Sequence, residues 1–224
     1  MIGALKRQSS DTGAAAERCS GNGNGMREPQ TPTIADFRVP AGTAGAQPTN
    51  PFALLAASLR QLAELLAVTS DEQYIQKPVG VIPSSLGGHV RHCLDHFDAL
   101  CSGASTGGMD YDDRSRGTMV ETDRSAAQQS IRRLQDRVAL LDASVLTRTV
   151  RVTSMLAGDG TSIEALSSLG RELAFVLSHT VHHNALVAAM CKTLGIPIPE
   201  RFGYAPSTVA HLDGSACVPS PSSR

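Results

Sequence analysis

The chain has 224 residues and a formal net charge of -1, and charged residues make up only 18% of it. The length fits one domain with some chain to spare. The near-zero charge argues against a basic face for nucleic acid, and the 4% aromatic content argues against base-stacking platforms. Because no apolar run approaches the ~18 residues of a membrane span, we expect neither a nucleic acid nor a membrane as partner.

The five cysteines are scattered, and no two of them form a CxxC pair. This spacing indicates neither a disulfide framework nor a thiolate zinc site. Free cysteines on apolar helical patterns are typical of a reducing compartment. The N-terminus has no apolar segment long enough for a signal-peptide core. The sequence therefore predicts a cytoplasmic protein.

Composition divides the chain into a core and two tails. Residues 1–49 are rich in small and polar residues and in proline, and they have no sustained periodicity, so they cannot bury enough apolar surface to fold. We expect a disordered tail there, or an over-extended gene start, since Met26 lies inside the segment. Residues 213–224 have the same character, which leaves residues 50–212 as the folded domain.

Four amphipathic helical patterns follow one another within residues 50–212. The first starts with Asn50 as N-cap and Pro51 at the first helical position, a favoured start. The second is capped by Ser84 or Ser85, and the third runs from about Asp123 to Leu141. The fourth runs from near Ser168 to Leu194, before Gly195 and two prolines.

The apolar seam of the fourth helix alternates four and three residues, the period of helices packed in a bundle. It consists of Leu169, Leu173, Val176, Thr180, His183, Val187, Met190 and Leu194. Before this helix, residues 148–153 alternate polar and apolar, and the GDG turn at 158–160 is followed by TSIEAL. The sequence thus predicts an all-α four-helix bundle with a small inserted β-hairpin.

Histidines cluster on the second and fourth helices. His89, His92 and His96 fall at i, i+3 and i+7 and stay within about 60° of each other around the helix. His179 and His183 are four residues apart, a spacing that lets two imidazoles reach one ion. Two nitrogens from one helix and one from the other would suit a divalent transition metal with positions left for water or substrate.

The same spacings also allow roles other than metal binding for these histidines. A core histidine is often a hydrogen-bonded structural group. His182 points about 100° away from His183, so a role behind the ligands or at the surface suits it equally well. The alternatives are that His89 lies behind the ligands, that His96 lies on the helix surface and that the isolated His211 faces solvent.

Glu172 is the candidate for acid–base chemistry. HTVHH resembles the zinc-protease motif HExxH, but Thr180 stands where that motif has its catalytic glutamate. Glu172 lies seven residues before His179 on the same helix face. The alternative is an exposed carboxylate favoured by the start of the helix dipole, with Arg171 beside it on the surface. Cys93, which follows His92, is expected to pack in the core.

At these residues the sequence resembles the DinB-like superfamily, over about residues 50–212. The motifs are SLGGHVRH, from Ser85 to His92, and the HxxxHH pattern of the fourth helix. The resemblance implies a bundle of the up-down-down-up type and a three-histidine site for a divalent metal. Its ligands would be His92, His179 and His183. The metal would be zinc or nickel, with iron or manganese as alternatives.

The superfamily includes relatives of bacillithiol transferases and of mycothiol-dependent maleylpyruvate isomerase, so the resemblance implies a metal-dependent transferase of the thiol S-transferase kind. Its substrate would be a small molecule, with a low-molecular-weight thiol as cosubstrate, and a homodimer is the expected partner state. One alternative is a non-catalytic bundle stapled by metal that acts as a stress-response or dimeric interaction protein. Another is a metal-free interaction module in which the histidines only pack.

Two polar segments, residues 110–123 and 199–212, are candidates for lids over the site, since long polar loops are often functional. The alternative is ordinary capping and turn chemistry. The residues of interest in them are Asp110, Tyr111, Arg114, Arg116 and Tyr204.

Overall fold

A computed structural model of the chain describes residues 50–113 and 117–214. The two predicted tails, apart from Asp213 and Gly214, and the loop residues Arg114 and Arg116 lie outside the described residues. The long helices are α1 (Pro51–Val68), α3 (Leu86–Thr106), α5 (Arg124–Ala139) and α6 (Leu169–Leu194). The shorter ones are α2 (Asp71–Ile75), α4 (Met119–Thr122), α7 (Pro206–Leu212) and a 3₁₀ helix (Ala143–Thr147). The strands are β1 (Gly108–Asp110), β2 (Thr149–Met155) and β3 (Ser162–Ser168).

The predicted starts of the four long helices and the predicted end of α6 are confirmed. Asn50 accepts a hydrogen bond from the Phe52 amide at the start of α1, and Ser85 caps α3 in the same way. The corresponding N-caps of α5 and α6 are Asp123 and Ser168. Each side-chain oxygen satisfies a backbone amide that the first helical turn leaves unpaired. Gly195 ends α6 in the left-handed conformation, with φ of 68°.

The apolar seams of the long helices meet in one core. Helix α3 packs against α5 and α6, and α1 packs against the same two helices. Leu59 of α1, Phe97 of α3, Ile131 of α5 and Val176 of α6 are all fully buried there. The described chain is thus mostly helical, as predicted. The up-down-down-up bundle type stays a prediction.

The predicted hairpin is present as β2 and β3, which pair antiparallel from Thr149 opposite Ser168 to Met155 opposite Ser162. The sequence did not predict β1, which pairs parallel with β2 and completes a three-stranded sheet. Three residues are too few to show an alternating pattern. The missed strand matters for the site, because β1 follows directly on α3 and leads into Tyr111.

Helix α1 is long and apolar enough, by length and composition, to cross a membrane. The expectation that no segment reaches that length was therefore wrong for this helix. Six of its residues are buried in the core shared with the other long helices. Length and composition are weak evidence for a span, because the core helix of a soluble protein passes the same test.

The start of α3 packs closely against neighbouring segments at Gly87. A Cβ at this residue would lie 2.1 Å from the backbone oxygen of Glu121 and 2.8 Å from the Tyr74 ring. We expect Gly87→Ala to lower the free energy of unfolding by about 1–3 kcal/mol, because overpacking against backbone outweighs the higher helix propensity of alanine. Urea unfolding followed by circular dichroism measures the change.

The neighbouring Gly88→Ala is the matched control. Its Cβ would approach mainly the Ser84 hydroxyl, at 2.7 Å, and that side chain is free to rotate away. This variant should be as stable as the wild type or more stable by up to about 1 kcal/mol. Equal stability of the two alanine variants would contradict the account of how α3 begins.

Candidate metal centre

Five histidines on the facing sides of α3 and α6 bring their imidazole rings together. His92 Nε2 lies 2.8 Å from His179 Nε2, and His89 Nδ1 lies 3.0 Å from His183 Nδ1. One ring nitrogen each of His92, His179 and His183 lies within 4.8 Å of the other two. The packing of α3 on α6 therefore converges the three residues that the sequence singled out.

His96 is part of the same group. Its exposure is 4%, so the reading of His96 as a helix-surface residue was wrong. Its Nδ1 lies 2.9 Å from the carbonyl oxygen of His92, which only accepts, so this nitrogen carries the proton. The His96 ring stacks on that of His179 with centroids 4.2 Å apart. His96 thus packs against one of the converging rings and is bonded to the backbone of another.

Burial keeps part of the cluster neutral. Loss of solvent lowers the pKa of His183 to about 3, and the neighbouring His179 and His89 lower it further. Burial also lowers the pKa of His89. A neutral imidazole has one unprotonated nitrogen, which is the form that binds a metal. At neutral pH His183 can therefore act as a ligand without first losing a proton.

The three converging nitrogens fit a divalent transition metal. A tetrahedral ion with zinc–nitrogen bonds of 2.0–2.1 Å holds two ligand nitrogens about 3.4 Å apart. The nitrogens of the set lie within 4.8 Å of one another, and those of His92 and His179 lie 2.8 Å apart, so shifts of about 1 Å in the side chains would bring them to this spacing. Three imidazoles make a donor set that zinc, nickel and iron accept.

Two histidines stand outside the cluster. His182 is exposed and lies edge-on to the His183 ring, with centroids 5.3 Å apart. His211 is exposed on α7, in agreement with its reading as a solvent-facing residue. His182 is therefore at the surface and not among the converging rings.

Glu172 is buried, so its reading as an exposed helix-start carboxylate was wrong. Its exposure is 1%, and both oxygens receive hydrogen bonds. The Ser167 hydroxyl and Arg171 Nη1 donate to Oε1 at 2.6 and 2.8 Å, and the Tyr111 hydroxyl donates to Oε2 at 2.8 Å. A buried carboxylate needs this many partners to offset the loss of water. Arg171, although 63% exposed, is thus tied to the interior through Glu172.

Tyr111 connects this carboxylate to the histidines. Its ring stacks on that of His96 at 5.1 Å and lies 5.1 Å from that of Phe175, which in turn stacks on His179 at 5.5 Å. Burial raises the pKa of Tyr111, and its hydrogen bond to Glu172 raises it further, so the hydroxyl keeps its proton. In the sequence Tyr111 is only one residue of a candidate lid segment, because the three-residue β1 that positions it has no recognisable pattern.

A cavity of about 620 Å³ lies on another side of Tyr111, between α3, α5 and the sheet. Its lining combines charged side chains, such as Arg91, Asp95 and Arg151, with apolar ones such as Leu94 and Leu134. The five clustered histidines are not among the residues that line it. Tyr111 therefore contacts both the histidine cluster and this cavity.

The remaining predicted residues have structural surroundings. Cys93 packs in the core, as expected, and burial raises the pKa of its thiol to about 12. In the 199–212 segment, Phe202 is buried and Tyr204 is 49% exposed. Gly203 lies against the backbone of Ala185 in α6, two residues beyond His183. Whether either polar segment closes over the site stays a prediction.

The hydrogen bond from Tyr111 to Glu172 should contribute measurably to stability. We expect Tyr111→Phe to lower the free energy of unfolding by about 1.5–3 kcal/mol, because the buried carboxylate loses one donor and finds no water in its place. Chemical unfolding of the metal-free protein measures this. Tyr204→Phe, at a half-exposed tyrosine, should change stability by less than about 0.5 kcal/mol. Similar effects of both variants would refute the role of the Tyr111 hydroxyl.

Three comparisons relate this chain to known proteins. The family model for the DinB superfamily matches residues 54–187, which include His92, His179 and His183. FK506-binding protein 5 of Rhizopus delemar is 36% identical over 110 residues, which are 46% of this chain and 27% of that protein. The chain therefore spans about a quarter of that relative. A crystal structure of a DinB-like protein from Bacillus subtilis, 15% identical, aligns with a TM-score of 0.49 over 69% of this chain and 99% of that one. Since the family model covers more than half of its length, the chain belongs to the DinB superfamily.

Proposed function

We propose that the protein binds one divalent transition metal through His92, His179 and His183 and acts as a metal-dependent transferase on a small molecule, with a low-molecular-weight thiol as cosubstrate. The observation that carries the proposal is the convergence of three imidazole nitrogens, from two different helices, within 4.8 Å of one another. The four-helix bundle arrangement implied by the superfamily would keep α3 and α6 side by side for this purpose.

The chain's own residues support an open site. Three protein nitrogens leave at least one position of a tetrahedral ion for a substrate. A metal bound there would supply Lewis-acid chemistry, lowering the pKa of a bound thiol or water. In the transfer itself, the thiol sulfur forms a bond to an electrophilic carbon and the thiol proton is lost to a base. The leaving group departs with the electrons of its broken bond.

The acid–base role predicted for Glu172 belongs to this proposal. What supports it is burial next to the cluster: Tyr111, which donates to Glu172, stacks on His96. Glu172 and Tyr111 would together hold a proton beside the aromatic rings that surround His179. The proposed metal is zinc or nickel, because imidazole nitrogens suit both.

Metal analysis tests the binding part of the proposal. After dialysis against zinc and then against buffer, we expect one zinc ion per chain of the full-length protein by elemental analysis. His183→Ala should reduce the bound zinc at least about tenfold, because two nitrogens hold the ion far more weakly than three. His182→Ala is the matched control, an exposed histidine on the same helix, and should keep one ion. Wild-type protein that retains no zinc after this dialysis would refute the site.

Turnover tests the transferase part. Zinc- or nickel-loaded protein is assayed with small thiols and a panel of electrophiles, and we expect thioether formation that chelation abolishes and that His183→Ala lacks. Glu172→Gln should lower the rate by about 100-fold if the carboxylate moves a proton. Full activity of this variant would remove Glu172 from the mechanism. Metal binding that stabilises the fold with no turnover in the panel would favour the non-catalytic, metal-stapled protein instead.

A further inference from the structure

His89 has a feature that packing does not explain. It is 8% exposed in the first turns of α3, and its Nε2 has no hydrogen-bond partner among the described residues. A buried polar atom without a partner is costly, and a leucine would fill similar space without that cost. The one polar contact of the His89 ring that the structure records is Nδ1 to His183 Nδ1, at 3.0 Å. The contact with His183 is therefore the best explanation for a histidine at this position.

This contact depends on which nitrogen carries the proton. Two imidazole nitrogens 3.0 Å apart form a hydrogen bond when one of them is protonated and the other is not. A neutral His183 that offers Nε2 to a metal keeps its proton on Nδ1. In that tautomer Nδ1 of His183 donates to His89, and Nδ1 of His89 accepts. The His183 ring already lies between its partners, with centroids 4.4 Å from His92 and 4.5 Å from His179.

We propose that His89 is a positioning residue for the metal site: its Nδ1 accepts a hydrogen bond from His183 Nδ1 and so holds His183 in the tautomer that leaves Nε2 unprotonated. This inference rests on the proposed metal site and goes beyond it, because it assigns a role to a fourth histidine. Ligand histidines in metalloproteins commonly donate their second nitrogen to a carbonyl or a carboxylate. Here an imidazole takes that place. His89 would set the rotation of the ring as well as its tautomer.

Two variants separate acceptance of a hydrogen bond from packing. His89→Asn keeps an acceptor, because the asparagine Oδ1 takes the place of Nδ1, but it is smaller than histidine. His89→Leu keeps about the volume of histidine and has no acceptor. Zinc affinity of the full-length proteins is measured by competition with a chromogenic chelator. We expect His89→Leu to bind zinc about 10–100-fold more weakly than the wild type and His89→Asn to stay within about threefold.

The outcomes distinguish this inference from the metal site itself. If the wild type binds no zinc, the metal site fails and the role of His89 fails with it. If the wild type binds zinc and His89→Leu binds equally well, the metal site stands and the role of His89 is overturned. If both variants lose affinity equally and the absorption spectrum of the cobalt-substituted protein changes in intensity, His89 is itself a ligand, which also overturns the positioning role.

A spectroscopic measurement on the wild type covers the case in which a variant does not fold. Nitrogen-15 NMR of histidine side chains in the zinc-loaded protein reports each tautomer. We expect a proton on Nδ1 of His183 and on Nε2 of His89, with Nδ1 of His89 unprotonated. A proton on Nδ1 of His89, or metal on Nδ1 of His183, would contradict the proposal.

Discussion

The contact between α3 and α6 governs the rest of the site, because it places ring nitrogens of opposing histidines 2.8 and 3.0 Å apart in a partly buried space. Burial in such a place favours the neutral form of an imidazole and makes each nitrogen without a partner costly. Burial accordingly lowers the pKa of His183 to about 3. The same burial that makes the cluster costly in free energy therefore prepares it to bind a cation, which would satisfy several nitrogens at once.

A second buried polar group, Glu172 with its hydrogen-bond donors, supports the histidine cluster from one side. Glu172 would be an uncompensated charge without the donors of Tyr111, Ser167 and Arg171. Tyr111 directly follows β1, and the pairing of β1 with β2 fixes where the chain enters this position. Its ring then closes the space beside His96. The small sheet is thus part of the site, although it carries none of the proposed ligands.

Local signals predicted much of this fold. Asn50 and Ser85 act as caps that the sequence indicated, and α5 and α6 begin beside Asp123 and Ser168, as it also indicated, because a helix start depends on the few residues around it. The hairpin of β2 and β3 was predictable for the same reason. Helix α1 shows the limit of composition, since its apolar length alone does not distinguish a core helix from a membrane span.

Other features depend on contacts that no single segment encodes. The burial of Glu172 requires Tyr111, which lies 61 residues earlier in the chain, so the helix position alone suggested an exposed carboxylate. The roles of His89 and His96 could not be separated from that of His92 by spacing, because all three share a side of α3. Only the position of α6 shows that His92 meets His179 while His89 meets His183. The i, i+4 spacing on α6 predicted the ligand pair His179 and His183 more securely than the spacing on α3 predicted which of its histidines is the third ligand.

In the proposed metal site, His92, His179 and His183 hold one divalent ion between α3 and α6. A crystal structure of the zinc-soaked protein, with diffraction data collected on both sides of the zinc absorption edge, tests it most directly. We expect a single strong anomalous peak about 2.0–2.1 Å from one nitrogen of each of these three residues. A fully occupied crystal site elsewhere, or no peak between the two helices at saturating zinc, would contradict it.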